Sequence, residues 1–175
     1  MNLFFILYKK LFLGLVLFAS AICSAESYKT APDFSLPDIY NGKLISLKDY
    51  QGSVVLVDFW ASWCGPCQAS LPEYNLLRQR LQEQFGTDKF EVLAINVDAT
   101  KKEAIMFLDK HSLKFPVLME TTGKSQRDYQ LLAMPTSFIV DQEGRIRISK
   151  VGFSSGYLQS LEKEVIQMIE SNTKH

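Results

Sequence analysis

Cys64 and Cys67 stand three positions apart, with Gly65 and Pro66 between them. That spacing admits a closed bridge or two neighbouring thiols, so the pair suits two-electron exchange with another disulfide. A purely structural bridge is a poorer use. A loop this short removes little entropy from the unfolded chain, and two cysteines are too few to frame a domain of this size. The other chemistry open to a Cys-x-x-Cys is half of a zinc site, which needs two further Cys or His ligands at workable spacing. The only histidines are His111, near the end of a predicted helix, and the terminal His175. No metal and no cofactor are therefore expected.

The elements around the pair decide how it would react. Val54 to Trp60 (VVLVDFW) is a continuous β-branched and aromatic run, the pattern of a strand buried on both faces. From Cys64 to Phe85 the spacing turns helical, with Leu71, Tyr74, Leu77, Leu81 and Phe85 on one stripe. Pro72 should kink this helix and Gly86 should stop it. The cysteines thus fall at a helix N-terminus, where unpaired N–H groups and partial positive charge stabilise a thiolate. Cys64, at the start, is the expected nucleophile. Cys67, one turn inward, is the expected resolving thiol, and Pro66 fits the first turn, where no N–H is needed. Asp58 lies inside the apolar strand. Burial there should raise its pKa, unless the carboxyl reaches solvent or a backbone donor at the strand's end.

Further strands are expected at Phe90–Val97, Lys114–Met119, Thr136–Asp141 and Arg145–Val151, the last two joined by a turn at Gln142-Glu143-Gly144. Pro116 marks the second of these as irregular or at an edge. Thr100 to Glu103 fits a capping box for a helix running to about His111. Ser125 is expected to cap a short helix reaching about Leu132, and Tyr157–Ser171 reads as a closing amphipathic helix with Leu158, Leu161, Val165 and Ile169 inward. Thr122-Gly123-Lys124-Ser125 imitates the tail of a phosphate loop, but Leu118 stands where that pattern needs glycine, so it reads as a turn. Before the first buried strand, Asn41-Gly42 predicts a hairpin ending near Gly52. This order implies an α/β fold, a mixed central sheet flanked by helices, with an N-terminal β-hairpin extension.

Residues 1–25 differ in kind. Lys9-Lys10 precede an uncharged apolar run from Leu11 to Ile22, followed by Cys23-Ser24-Ala25. This describes a secretory signal peptide cleaved after Ala25. An uncleaved membrane anchor, an acylated Cys23 and cleavage near Ala19-Ser20-Ala21 are alternatives. Cleavage leaves residues 26–175 as one domain whose only cysteines are Cys64 and Cys67. Nineteen basic and nineteen acidic side chains balance, which leaves no electrostatic footprint for nucleic acid.

The stretch Val54 to Cys67 (VVLVDFWASWCGPC) closely resembles the active-site strand and loop of thioredoxins. Pro72 matches their helix-kinking proline. Ala31-Pro32-Asp33-Phe34, the hairpin, and Met134 to Asp141 followed by Gly144-Arg145-Ile146 resemble the exported TlpA/ResA-like branch, over about residues 31 to 170. The resemblance implies a thioredoxin-like fold and a protein thiol–disulfide oxidoreductase. It implies a cis bond at Pro135 facing the sulfurs and substrate hydrogen bonding at the Met134 backbone. It gives Asp58 the role of moving protons to and from Cys67, and gives Trp63, Gly65 and Pro66 the shaping of the docking surface. One departure is Ala94, where thioredoxins carry a lysine near that acid. Gly65-Pro66 is the dipeptide that reducing members of the family carry; together with the export signal, the expectation is a monomer that reduces protein disulfides outside the cytoplasm, in a bacterial periplasm, fed by a membrane thiol donor. Cytochrome c or copper-site cysteines are substrates of such relatives. An oxidant or isomerase remains the alternative. A thiol peroxidase would carry threonine where Ala61 stands, and a copper chaperone would space its cysteines by three and add a distant histidine.

Overall fold

A computed structural model describes residues 28–172. The expectations for residues 1–25, for Cys23 and for His175 lie outside the described residues. The chain forms β1 (Ser35–Pro37), β2 (Leu44–Ser46), a 3-10 turn (Leu47–Tyr50), β3 (Val54–Trp60) and α1 (Gly65–Phe85). It continues with β4 (Phe90–Asn96), α2 (Lys101–Leu108), β5 (Val117–Met119), α3 (Lys124–Asp128), β6 (Thr136–Val140), β7 (Ile146–Val151) and α4 (Ser155–Asn172).

Five strands make one sheet in the order β5-β4-β3-β6-β7. β3 pairs parallel with β4 and antiparallel with β6, so the most apolar run in the chain takes the centre, with all seven residues buried. Its alternation divides the core. Val54, Leu56 and Trp60 face the helical side, packing with Leu71, Leu77 and Leu81 of α1 and Leu158, Leu161 and Val165 of α4. Val55, Val57 and Phe59 face Phe34, Leu47, Tyr129 and Phe138 on the other side. Both faces are covered, as a sheet with a parallel core requires.

The N-terminal extension is the expected hairpin, β1 antiparallel to β2, with Gly42 at φ 74° in its turn, a backbone region glycine enters without strain. Its continuation lies along the sheet's outer edge: Ile39 N–H donates to the Val117 carbonyl at 2.8 Å, and Asp38 bridges Leu118. β5 is accordingly short and at the edge, beginning only after Pro116.

α4 runs over Ser155–Asn172 where Tyr157–Ser171 was expected, and α2 and α3 depart further from their expected bounds. α2 stops at Leu108 rather than His111. The last N–H groups switch to shorter-range bonds (Lys110 to Phe107, His111 to Leu108), and the His111 ring stacks on Phe107 at 4.3 Å. α3 covers only Lys124–Asp128 and is not capped by Ser125; Gly123 is its N-cap, with no side-chain cap. Glu120 does that work instead. Its carboxylate accepts from the N–H groups of Thr122, Gly123 and Ser125 and from the Thr122 hydroxyl, at 2.6–3.1 Å. The expected turn at residues 122–125 is thus wound around a buried carboxylate, which short-range sequence patterns do not reveal.

Candidate active site

Cys64 is the N-cap of α1. Its sulfur accepts the Cys67 N–H at 3.3 Å, so one orphan donor of the helix start is aimed at the sulfur expected to attack. Cys64 and Cys67 are joined by a disulfide, S–S 2.00 Å. Cys64 retains 6% exposure while Cys67 has none, so a partner sulfur can reach only the first. Gly65 and Pro66 form the first helical positions, and an added Cβ at Gly65 would meet nothing within 4 Å. That open side leaves room for an approaching chain. Trp63 stands 70% exposed beside the motif, whereas Trp60 is fully buried and packs on Phe107 at 5.4 Å.

The loop between β3 and α1 is held by residues that sequence reasoning passed over. Asp98, buried just beyond β4, accepts from Ser62 N–H (3.0 and 3.1 Å to its two oxygens) and from the Ser62 hydroxyl. Asn96 donates to the same carboxylate at 2.8 Å, and Gln68 reaches back from α1 to the Ser62 carbonyl. These contacts place Trp63 and Cys64 at the sheet's end. The available signal was two polar residues, Asn96 and Asp98, at the end of an apolar strand adjacent to β3.

Asp58 is wholly buried, and neither carboxylate oxygen has a hydrogen-bond partner. Burial alone pushes its pKa well above the ordinary aspartate value. It reaches neither solvent nor a donor. By strand alternation it shares the helical face with Leu56 and Trp60, the face on which Cys67 packs. Its neighbours across the sheet are Ala94 on β4 and Ser137 on β6, so the strand position that could offer a cation offers a methyl group.

The Met134–Pro135 bond is cis. It immediately precedes β6, and the Pro135 carbonyl accepts the Gly152 N–H at 2.8 Å, tying the loop to the end of β7. Leu132 in the same loop is 93% exposed. Among the described residues, no group of three His, Cys, Asp or Glu side chains is placed to hold a metal ion, and no helix is long and apolar enough to cross a membrane.

The chain is similar to known proteins. The AhpC/TSA family profile matches residues 28–149. Thiol-disulfide oxidoreductase ResA of Bacillus thuringiensis subsp. konkukian is 35% identical over 121 residues, 69% of this chain and 67% of that protein. Thioredoxin-like protein YneN of Bacillus subtilis is 37% identical over 125 residues, 70% of this chain and 69% of its own. A crystal structure from Chlorobium tepidum, assigned as a thiol:disulfide interchange protein DsbE, superposes with a TM-score of 0.73 at 36% identity. It covers 82% of this chain and 98% of that one. The chain belongs to the AhpC/TSA family and is a thiol–disulfide oxidoreductase of thioredoxin-like fold.

Proposed function

We propose that the protein reduces disulfides of other proteins outside the cytoplasm, with Cys64 as the attacking sulfur and Cys67 as the resolving one. The observation that carries this is Cys64 at the helix start, its sulfur accepting a helix N–H and keeping the only exposure of the pair. The Cys64 thiolate attacks one sulfur of a substrate disulfide, and the other leaves as a thiolate that takes a proton from water. Cys67 loses its proton to Asp58 and attacks the mixed disulfide at Cys64. The second substrate sulfur then leaves, so two electrons pass to the substrate and the Cys64–Cys67 disulfide closes. Gly65-Pro66, with no histidine between the cysteines, supports reduction over oxidation.

Trp63, Gly65 and Pro66 form the docking face in this reading. Met134 and cis Pro135 offer main-chain groups to an extended substrate segment, in the manner of strand addition. Residues 1–25 act as the export signal or anchor, and residues 26–175 work as a monomeric domain recharged by a membrane thiol donor. The test is the reduction potential measured against glutathione, together with trapping by Cys67→Ser. A potential near about −120 mV, the strongly oxidising end, would overturn the reductase reading. Mixed disulfides should accumulate on Cys67→Ser through Cys64 and disappear in the Cys64→Ser/Cys67→Ser double variant.

A further inference from the structure

Asp58 is buried without a partner, yet the proposed reaction asks it to take up a proton and release it. An ionised carboxylate in such a site needs a donor or a cation to stabilise it. The β4 side supplies neither, because Ala94 is the strand neighbour there. The other side differs. Ser137 on β6 pairs with Asp58, and Lys150 on β7 pairs with Ser137. Side chains in register across adjacent strands share one face, so the row Asp58, Ser137, Lys150 runs toward the sheet's edge beneath α1 and α4.

Two tyrosines lie over that row. Tyr74 of α1 is buried, and its hydroxyl has only a long 3.5 Å contact with the Ser137 hydroxyl. Burial first, then the charges of Asp58 and Tyr157, raise the Tyr74 phenol, which keeps it a neutral donor. Tyr157 of α4 has a buried hydroxyl with no hydrogen-bond partner, and the Lys150 ammonium sits 5.0 Å over its ring. Burial alone acts on Asp58 as the structure stands. Glu164 acts on Tyr157, and Lys101, Lys102 and Glu103 of α2 are exposed.

We propose that Tyr74 and Lys150 are positioning residues for Asp58. Tyr74 supplies the hydroxyl that turns from Ser137 to the carboxylate when it ionises, and Lys150 supplies, from the β7 side, the positive charge absent at Ala94. The inference rests on the proton role proposed for Asp58. During the resolving step the Cys67 proton moves to the Asp58 carboxylate as the Cys67 sulfur bonds to Cys64. Tyr74 gives up no proton; it donates a hydrogen bond that the charged form needs and the neutral form does not.

The experiment mixes reduced full-length protein carrying Cys23→Ser, so that Cys64 and Cys67 are its only thiols, with Ellman's reagent. The first release of thionitrobenzoate reports attack by Cys64, and the second reports attack by Cys67 on the mixed disulfide. Tyr74→Phe removes one oxygen and keeps the ring; Lys150→Met changes a half-buried side chain and guards against a folding defect in the first variant. Each should move the pH midpoint of the second phase up by about one unit and leave that of the first phase in place. Below the midpoint the second phase should be about tenfold slower. An unmoved second midpoint in both variants overturns the inference. Asp58→Asn separates the two claims. If it leaves the second-phase profile unchanged, the proton role of Asp58 fails and the inference with it. If it removes the acidic limb while Tyr74→Phe and Lys150→Met shift nothing, only the inference fails.

Discussion

At the scale of single residues, the site sets a cysteine that keeps 6% exposure against a wholly buried acid. Cys64 accepts a helix N–H and meets solvent; Asp58, on the adjacent strand, meets neither solvent nor donor. The acid's raised pKa has a cost in stability whose sign follows from proton counting. The unfolded chain ionises Asp58 near 3.8, while the folded chain holds the proton to much higher pH. Between those two pKa values the folded state binds the extra proton, so stability falls as pH rises. Asp58→Asn removes the titration and keeps a similar shape. Its urea-unfolding free energy should match wild type below pH 3.8 and gain on it by about 1.4 kcal/mol per pH unit, up to the folded pKa. Parallel pH–stability curves for the two proteins would show that Asp58 ionises freely in the fold.

At the scale of elements, two carboxylates tie structure around the site. Glu91 of β4 is held bidentately by Arg78 of α1, through the Arg78 Nε and through Nη2 at 2.9 Å. Both side chains are mostly buried. Arg78→Ala would leave Glu91 without its cation against the helix that Cys64 caps and Cys67 belongs to. Unfolding free energy should drop by about 3 kcal/mol in chemical denaturation, and retention of wild-type stability would assign the pair no structural weight. Glu120 organises α3. Burial raises its pKa, but hydrogen bonds from Ser125 and Thr122 outweigh this and hold it at about 2, below the usual 4.5. Its stabilisation is therefore present above pH 4.5 and lost as pH falls toward 2. Glu120→Ala should lower unfolding free energy by about 1 to 3 kcal/mol at neutral pH. The gap to wild type should narrow on acidification, which thermal melts at pH 7 and pH 3 would show. Here the sequence was legible in part. The position of the helix was expected, but its cap and its end were not, since Glu120 acts from outside the local pattern.

At the scale of the molecule, the N-terminal extension reaches both edges of the sheet. It lies on β5 through Ile39 and Asp38, and it meets the start of β7 through Lys29, Thr30 and Ala31, with Ile146 N–H donating to Lys29 at 2.8 Å. Covered edges do not template pairing with another chain. Its own Phe34, Ile39 and Leu47 are buried, each worth about 1.5–3 kcal/mol. That sum approaches the whole net stability of a domain, about 5–15 kcal/mol. A chain of residues 53–175 should therefore aggregate or unfold without cooperativity, whereas residues 26–175 unfold in one transition by circular dichroism. Soluble, cooperative behaviour of the shorter chain would make the extension an accessory.

Local patterns were enough for the cysteine pair, the strand that presents it, the helix that begins at it, and the hairpin before them. Each of those features rests on interactions between near neighbours: a buried β-branched run, a first-turn proline, an Asn-Gly turn. Tertiary structure alone decided the rest. Asp98 holds Ser62 across 36 residues, and Asp58 is left unpartnered because Ala94 and Ser137, rather than any charge, come into register with it. Lys150 reaches the same row only through two antiparallel pairings. Strand register is a collective outcome of packing both faces of a sheet. For that reason no window of the chain around Asp58 reveals which groups surround it.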